Sequence, residues 1–573
     1  MKSWLLNYIY LIKVMLSPRR PSLLLAFPVF SLLLWLVLYP NLYVLLQSFV
    51  KDTYFSLENY LIFFNSPSQI EALRNSLFIS LGSVLLSAAI GIPLAFIFNR
   101  FDFPGRRIFG ALASLPVLLP PLVGVIAFMF LYGESGILTR MIQKALGLQD
   151  PPFSLRGIPA ILWVHAYTMY VYFYLFVSAG LKRMDESLSE ASHSLGASGF
   201  RTLLWVTLPM LTPAIVGASL LTFMTSMASF SAPYIFGGGT RVLTLQIYNS
   251  KLNGDLEMWM VETVVLTLVS ILFLFLLQRY EATGKYSSIS KGAPANLRNI
   301  NGRTLKSLMA VLGIATVFLL LLPHLTLLLI SFTQDGTWTT EILPPHYTTS
   351  NYQRLFGDER FLEPILNSLK MALIATAGNL IFALAASWLL IQKKLRGRLV
   401  LSALTLLPWA LPGTIVALNL ATTFSQQNLL QGRVLLVGTF WILPVTYFIR
   451  NIPLVVRAVQ AGFEQLDLNL HQAARSLGAS WLYSLRRILF PLVLPAAAAG
   501  SMLAFVTALG DFVSSIVIYT VDSRPISVEI FAQLRQFNFG SAAAYGVLLI
   551  LMIASVFLLV GKYVDESNKP IMR

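Results

Sequence analysis

The sequence predicts an all-α polytopic membrane protein with about twelve transmembrane helices in two six-helix repeats. Hydrophobic residues make up 56% of the 573 residues and charged residues only 12%, against roughly 25% charged in soluble domains. Apolar runs such as 77–98 and 308–330 are long enough to cross a bilayer, which takes about 20 residues as a helix. The same short motifs recur in both halves of the chain, which indicates an internal duplication.

Hydropathy places six spans in each half. Those of the first half are expected at roughly 22–49, 75–98, 108–132, 158–180, 206–235 and 258–278, and those of the second at 307–332, 367–391, 399–424, 436–456, 488–519 and 541–561. Most of the 41 Lys and Arg lie in the termini and in the loops on the same side as the termini. Because basic loops stay in the cytoplasm, both termini are predicted to be cytoplasmic.

The net charge of +16 is therefore explained by membrane topology, with the lipid bilayer as the surrounding partner. Nucleic-acid binding would require a basic stripe with interleaved aromatic residues on a soluble domain, and the sequence shows none. The N-terminal stretch 1–21 has a short apolar run without a small-residue cleavage site, and is expected to be a retained cytoplasmic lead-in.

A polar segment divides the chain into its two repeats. Residues 281–306 are rich in Ser, Gly, Asn and basic residues, which is typical of a solvated linker. We predict a first transmembrane domain over 1–280, a cytoplasmic linker over 281–306 and a second transmembrane domain over 307–573. The motifs that recur across the linker are Asn59–Tyr60 as Asn351–Tyr352, Asn75–Ser76–Leu77 as Asn367–Ser368–Leu369, and LPVLLPP at 115–121 as LPWALPG at 407–413. An even number of spans makes the repeats parallel, and such repeats usually bracket a central pathway.

The most informative repeat is a small polar loop between spans four and five of each half. It reads EASHSLGAS at 190–198 and QAARSLGAS at 472–480. Alanines present a low-profile face to a partner, and Gly196 and Gly478 allow a sharp exit. Pro209 and Pro491 are expected to open the next span, where a missing N–H costs nothing. Each loop is predicted to be a short cytoplasmic helix that presses into a partner protein.

This arrangement resembles the EAA motif of binding-protein-dependent ABC importer permeases, and the resemblance covers nearly the whole chain. It implies two parallel MetI-like permease repeats in the bacterial cytoplasmic (inner) membrane. The partners implied are two copies of an ABC ATPase at the loops and a periplasmic or lipid-anchored substrate-binding protein outside. The residues implied to contact the ATPase are Glu190, Ala191, Ser192, Gly196, Leu208 and Pro209 in the first copy, and Gln472, Ala473, Ala474, Gly478, Ile488 and Pro491 in the second. Ser192 replaces an alanine of the motif and Gln472 replaces its acid, so the two ATPase contacts are predicted to be unequal.

Span five follows the loop in each half and is expected to line the pathway. Asp511 occupies the position of Ser229 in the other repeat, and a carboxylate within a membrane normally faces a wet cavity or a partner group. The residues predicted to face the pathway are Ser229, Ser231, Asp511, Ser514 and Ser515. The alternative for Asp511 is a structural hydrogen bond within the bundle, and His165 in span four is expected to fill a packing role.

The cargo follows from the resemblance alone. Segments 237–248 and 522–531, after span five, are similar to the external gate loops of ferric-iron transport permeases of the fused two-domain type. This implies ferric iron that is delivered by the binding protein and passed by alternating access. Thiamine, phosphonate or another small solute is the alternative within the same class.

No enzyme active site, cofactor or metal site is predicted. The chain has no cysteine, the G-x-x-x-x-G-K-[ST] loop of ATPases is missing, and the five histidines lack metal-ligand spacing. ATP hydrolysis would therefore need a separate subunit. A carrier of the major facilitator type is the alternative of a different class, because 102–107 fits the D-x-x-G-R-R core of a loop found there. The matching segment 393–398 has no acid, and this alternative leaves the duplicated loops unexplained.

Overall fold

The computed structural model confirms the all-α prediction. It describes residues 21–51, 54–283, 297–299, 302–338, 341–391, 395, 397–425, 435–466, 473–474 and 476–567. Most of the predicted linker 281–306 lies outside the described residues, as does Gln472. Two pairs of two-residue strands complete the secondary structure of this part of the chain, and they are Val50–Lys51 with Tyr54–Phe55 and Phe101–Asp102 with Arg298–Asn299.

The helices of the first half follow the predicted order. They are α1 (Pro21–Leu33), α2 (Tyr39–Gln47), α3 (Glu58–Asn65), α4 (Pro67–Arg100), α5 (Arg106–Leu112), α6 (Pro121–Tyr132), α7 (Ile137–Ala145), α8 (Gly157–Arg183), α9 (Ser187–Ser194), α10 (Gly199–Thr202), α11 (Leu208–Met210), α12 (Thr212–Met227), α13 (Ser231–Phe236), α14 (Leu243–Leu252) and α15 (Leu256–Thr283). Wider π-helical turns join α1 to α2 over Leu34–Leu38 and α10 to α11 over Leu203–Thr207.

The described helices of the second half repeat this pattern. They are α16 (Arg303–Ser331), α17 (Ser350–Gly357), α18 (Glu359–Ile391), α19 (Arg398–Leu406), α20 (Gly413–Thr423), α21 (Ile442–Glu464), α22 (Trp481–Ser484), α23 (Phe490–Leu509), α24 (Ser515–Ile518), α25 (Ile526–Arg535) and α26 (Phe539–Ser567). A π-helical turn over Leu485–Leu489 joins α22 to α23.

Ten to twelve candidate membrane spans occur among the described residues. Ten helical segments are each long and apolar enough to cross a bilayer, and the count reaches twelve if each of two bent helix pairs is one span. The bent spans are 199–210 with 212–227, at an angle of 66°, and 398–410 with 413–423, at 107°. Both fall where the sequence predicts a span.

The repeated proline motifs break the third span of each half. Leu115–Leu118 and Leu407–Ala410 form 3-10 turns, two extended residues follow, and the helix restarts at Pro121 or Gly413. Proline cannot donate the helical N–H bond and pushes the residue before it toward extended backbone. In the second half the third span is therefore two helical pieces. In the first half the segment long enough to span, 121–145, begins after the break and lies further along the chain than the predicted 108–132.

The chain folds into two compact units that do not coincide with the two sequence repeats. One unit comprises the described residues within 1–47, 358–529 and 551–573, and the other those within 48–357 and 530–550. In the first unit α18, α21 and α23 pack together and α20 packs on α2. In the second unit α4, α8 and α12 pack together and α16 packs on α6. Each unit thus includes the first span of the other repeat. The division of the chain at 281–306 stays a prediction.

Candidate functional site

The first polar loop is a short helix with a glycine stop. In α9 the side chain of Ser189 is buried while Glu190 and Ala191 are exposed. The N–H of Ala197 donates to the carbonyl of Ser192 at 3.1 Å, and Gly196 has φ +82°. This is the Schellman pattern, in which a left-handed residue ends the helix and satisfies its last carbonyls.

The second loop ends in the same way. The N–H of Ala479 donates to the carbonyl of Ala474 at 3.0 Å, and Gly478 has φ +90°. A β-carbon would meet no atom within 4 Å at either loop glycine. The left-handed backbone, which costs other residues roughly 1–2 kcal/mol, is therefore what requires glycine at Gly196 and Gly478.

The shared letters LGAS encode a stop, a restart and an exposed side chain. Ser198 and Ser480 each follow the glycine by two residues, and each hydroxyl accepts an N–H from the next helix, at 3.3 and 3.2 Å. Such serines are favoured helix N-caps. Leu195 and Leu477 precede the glycines, and each side chain is 89% exposed. An apolar side chain exposed at the same position of both copies indicates a surface that contacts a partner.

Pro209 and Pro491 lie in the first turn of α11 and α23, the helices that begin at Leu208 and Phe490, as the sequence predicts. Helical backbone begins earlier than predicted, at Gly199 and Trp481, ten residues before each proline. A π-helical turn precedes each proline and closes through an N–H of the residue before it, from Leu208 or Phe490. Because proline lacks its own N–H and clashes with the preceding turn, a widened turn accommodates it inside the helix. Leu208, Pro209 and Pro491 are partly buried or exposed helix residues, and Ile488 lies within the second π-helical turn.

A buried ion pair that the sequence did not reveal holds the first loop. Nη1 of Arg100, at the end of α4, lies 2.7 Å from Oε1 and 2.8 Å from Oε2 of Glu186, the residue before α9. Their side chains are 8% and 15% exposed. The corresponding positions of the second repeat carry Gln392 and Leu468, which cannot form an ion pair. An ion pair at these two positions is therefore specific to the first repeat.

In the first repeat, Ser229 belongs to a hydrogen-bonded group around His165. The Nε2 of His165 lies 2.9 Å from the hydroxyl of Ser229, and its Nδ1 lies 2.9 Å from Ser83 and 3.1 Å from Ser226. Both ring nitrogens of the buried imidazole thus have partners, as a packing role requires. Ser231 is also buried, at the start of α13.

In the second repeat, Asp511 is a buried residue that pairs with Arg450 of α21. One carboxylate oxygen accepts the N–H of Ser514 at 2.9 Å, and the other lies 3.2 Å from the hydroxyl of Ser514. The structural hydrogen bond, the alternative predicted for Asp511, is therefore present in the bundle. A position on the pathway stays a prediction.

Ser515 completes this second group. Its hydroxyl donates to the carbonyl of Asp511 at 2.7 Å and lies 2.6 Å from the phenol of Tyr447. Tyr447 occupies the position that His165 holds in the first repeat, so both repeats place a polar side chain of span four against the residues after span five. The sequence signal for this pairing was available in the repeat alignment, but only the packing brings the groups together.

The chain is similar in sequence to several named transport permeases. It is 31% identical to the "Probable ABC transporter permease protein y4fN" of Sinorhizobium fredii, over 80% of this chain and 81% of the relative. It is 25% identical to the "Ferric transport system permease protein FbpB" of Actinobacillus pleuropneumoniae, over 94% of this chain and 78% of the relative. The "Sulfate transport system permease protein CysT" of Salmonella typhimurium is 34% identical, over 34% of this chain and 72% of the relative.

The family match occurs twice, once in each repeat. Residues 87–282 and 378–565 both match the family described as "Binding-protein-dependent transport system inner membrane component". These two matches show that the alternative of a major facilitator carrier is wrong. In the segment 102–107 that suggested it, Asp102 pairs with Arg106 at 3.4 Å. The chain belongs to the binding-protein-dependent inner membrane component family, as a fused two-domain permease of the ABC importer class.

Proposed function

We propose that the chain passes ferric iron from a binding protein outside the membrane into the cytoplasm, by alternating access driven by a separate ATPase. The observation that carries this proposal is the duplicated loop, in which both repeats present a left-handed glycine directly after a leucine that is 89% exposed. In the first repeat these residues follow the short helix α9. Both loops and both termini are then cytoplasmic.

Two ATPase copies are the partners that this geometry suits. Each loop offers a small face of alanine or serine and one exposed leucine, and the exit of each helix is set by backbone hydrogen bonds. Closure of the paired ATPases would push both loops together. Helices begin at Gly199 and Trp481, directly after the loops, and lead into the fifth spans. In the first repeat this path bends by 66° between 199–210 and 212–227. The displacement would reach the pathway along these helices.

Ferric iron is supported by the names of several relatives. Proteins called ferric transport permeases align with 86% to 95% of this chain, at 24% to 26% identity. The sulfate permease aligns with about a third of it. Because the cargo of such importers is selected by the binding protein, sulfate, thiamine and phosphonate are the competing cargoes for the test below.

The partner is tested by purifying the tagged chain from detergent-solubilised membranes and identifying what is recovered with it. We expect an ABC ATPase, which is lost in Gly196→Val with Gly478→Val. Gly254→Val is the matched control, because Gly254 also has a left-handed backbone (φ +76°) with no atom within 4 Å of an added β-carbon, but lies between α14 and α15. Recovery of the ATPase with the loop variant, or its loss with the control, would contradict the role of the loops.

The cargo is tested by uptake into cells that depend on this chain. Labelled ferric chelate, sulfate, thiamine and a phosphonate are offered separately, with the chain present or deleted. Uptake of iron alone that requires the chain supports the proposal. Uptake of any other labelled solute in place of iron refutes ferric iron as the cargo and leaves the importer class intact.

A further inference from the structure

The Asn–Ser pair that recurs near the start of span two makes the same hydrogen bonds in both repeats. The hydroxyl of Ser76 accepts the N–H of Leu243 at 2.9 Å, and that of Ser368 accepts the N–H of Ile526 at 2.8 Å. Leu243 and Ile526 are the first residues of α14 and α25. The first N–H groups of a helix have no partner within it, so each serine satisfies one of them from a different span.

The asparagines hold the end of the loop that precedes each of these helices. Nδ2 of Asn75 donates to the carbonyl of Arg241 at 3.0 Å. Nδ2 of Asn367 lies 3.2 Å from the carbonyl of Asp522 and 3.4 Å from that of Arg524. Asparagine and serine together therefore bind both a carbonyl and an N–H of one short stretch of backbone.

The same helices also contact the end of span five. The hydroxyl of Thr244 donates to the carbonyl of Ser229 at 2.7 Å, and that of Ser527 donates to the carbonyl of Asp511 at 2.7 Å. Ser229 and Asp511 follow α12 and α23 by two residues. In each repeat one short helix is thus bonded to span two on one side and to the end of span five on the other.

The burial of these side chains makes the bonds hard to replace. Asn75, Ser76, Asn367 and Ser368 are all at most 7% exposed, and a buried N–H that loses its acceptor cannot turn to water. The loops themselves differ, since one reads GGGTRVL and the other VDSRPI. Two loops of different sequence that dock on equivalent Asn–Ser pairs indicate that the pair is required for positioning and not only for packing.

We propose that Asn75, Ser76, Asn367 and Ser368, here called the external clasp, are positioning residues that make the loop after span five move together with span two. This inference rests on the proposed importer function, in which the end of span five is displaced when the pathway opens outward. The clasp carries that displacement to span two in both repeats. Without the clasp the loop moves alone, and ATP is hydrolysed without transport.

The test compares Ser76→Ala with Ser368→Ala, the two together and the corresponding threonine variants, in the intact complex with its ATPase and binding protein. Ser80→Ala is the matched control, because Ser80 is a buried serine one turn further along α4 whose position in the second repeat is occupied by Ala372. We expect uptake per ATP hydrolysed to fall roughly tenfold in the double alanine variant, since two buried N–H groups lose their acceptor. Threonine, which keeps the hydroxyl, should restore coupling, and ATPase recovery should stay unchanged throughout.

A second measurement separates the clasp from the proposed function. Amide hydrogen exchange at residues 243–247 should be faster in Ser76→Ala than in the wild type and the Ser80→Ala control. Exchange rates that do not change in Ser76→Ala overturn the clasp, whether or not the wild type transports. Absence of ATP-driven uptake by the wild type would refute the importer function instead. If the wild type transports, a double alanine variant with wild-type uptake per ATP also overturns the clasp.

Discussion

Replacing Glu186 by leucine should release the first polar loop from the end of α4. The carboxylate of Glu186 receives both close contacts from Nη1 of Arg100, at 2.7 and 2.8 Å, in a site where neither side chain is more than 15% exposed. The single change leaves the guanidinium of Arg100 buried without its carboxylate. In the second repeat both charges are replaced together by uncharged residues, Gln392 and Leu468.

The size of the effect follows from burial. Removing one partner of a buried pair costs about 3–5 kcal/mol, whereas an uncharged replacement of both is often nearly neutral. The pair is partly open to water, so we expect Glu186→Leu to weaken the attachment of the loop to α4 by about 3 kcal/mol, the lower end of this range. A change of this size shifts the equilibrium between anchored and released loop by roughly a hundredfold. The double variant Arg100→Gln with Glu186→Leu should recover most of the attachment lost in Glu186→Leu.

The assay is a double-mutant cycle on ATPase affinity. The dissociation constant for the ATPase is measured in detergent for the wild type, both single variants and the double variant. We expect the weakest binding for Glu186→Leu and a coupling energy above about 1 kcal/mol between the two sites. Additive effects, or a Glu186→Leu variant with wild-type affinity, would refute the reasoning that the ion pair positions the loop.

Three further predictions concern other charged groups. Arg450→Met leaves the buried carboxylate of Asp511 without its arginine. It should lower the free energy of unfolding by about 3 kcal/mol, which is measured as a lower melting temperature in detergent. Arg457→Met, at an exposed position, should leave the melting temperature unchanged. Burial lowers the pKa of Lys251 from 10.5 to about 8. Between pH 8 and 10.5 the unfolded chain therefore binds more protons than the folded chain, and the free energy of unfolding should rise with pH. Lys251→Met should flatten this rise. Glu190→Gln should reduce ATPase recovery more than Gln472→Ala, because only the first loop carries an acid.

Each of these predictions has an outcome that contradicts it. Equal melting temperatures for the two arginine variants would show that the buried pair does not stabilise the bundle. Wild-type and lysine-variant melting curves with the same pH dependence would rule out a buried ammonium group as its source. Equal ATPase recovery from both loop variants would mean that the acid of the first loop makes no separate contact.

Local features of the site could be predicted from the sequence because their causes act within a few residues. The letters LGAS specify a helix stop and restart, since glycine adopts the left-handed backbone and serine caps the following helix at Gly196–Ser198 and Gly478–Ser480. Hydropathy predicts where the spans lie because the bilayer sets the length of an apolar helix. The π-helical turns before Pro209 and Pro491 were not predicted, because such a turn leaves no clear pattern in composition.

The sequence by itself determined the fold class, the duplication and the two polar loops, since hydropathy, repeats and turn residues are properties of short stretches. Only the tertiary structure decided which distant groups meet. Arg100 reaches Glu186, Asp511 pairs with Arg450, and the Asn–Ser pairs hold the loops after span five. Packing also assigned the first span of each repeat to the other compact unit. These contacts join residues far apart in the chain, and whether they form depends on how the helices pack rather than on any local pattern.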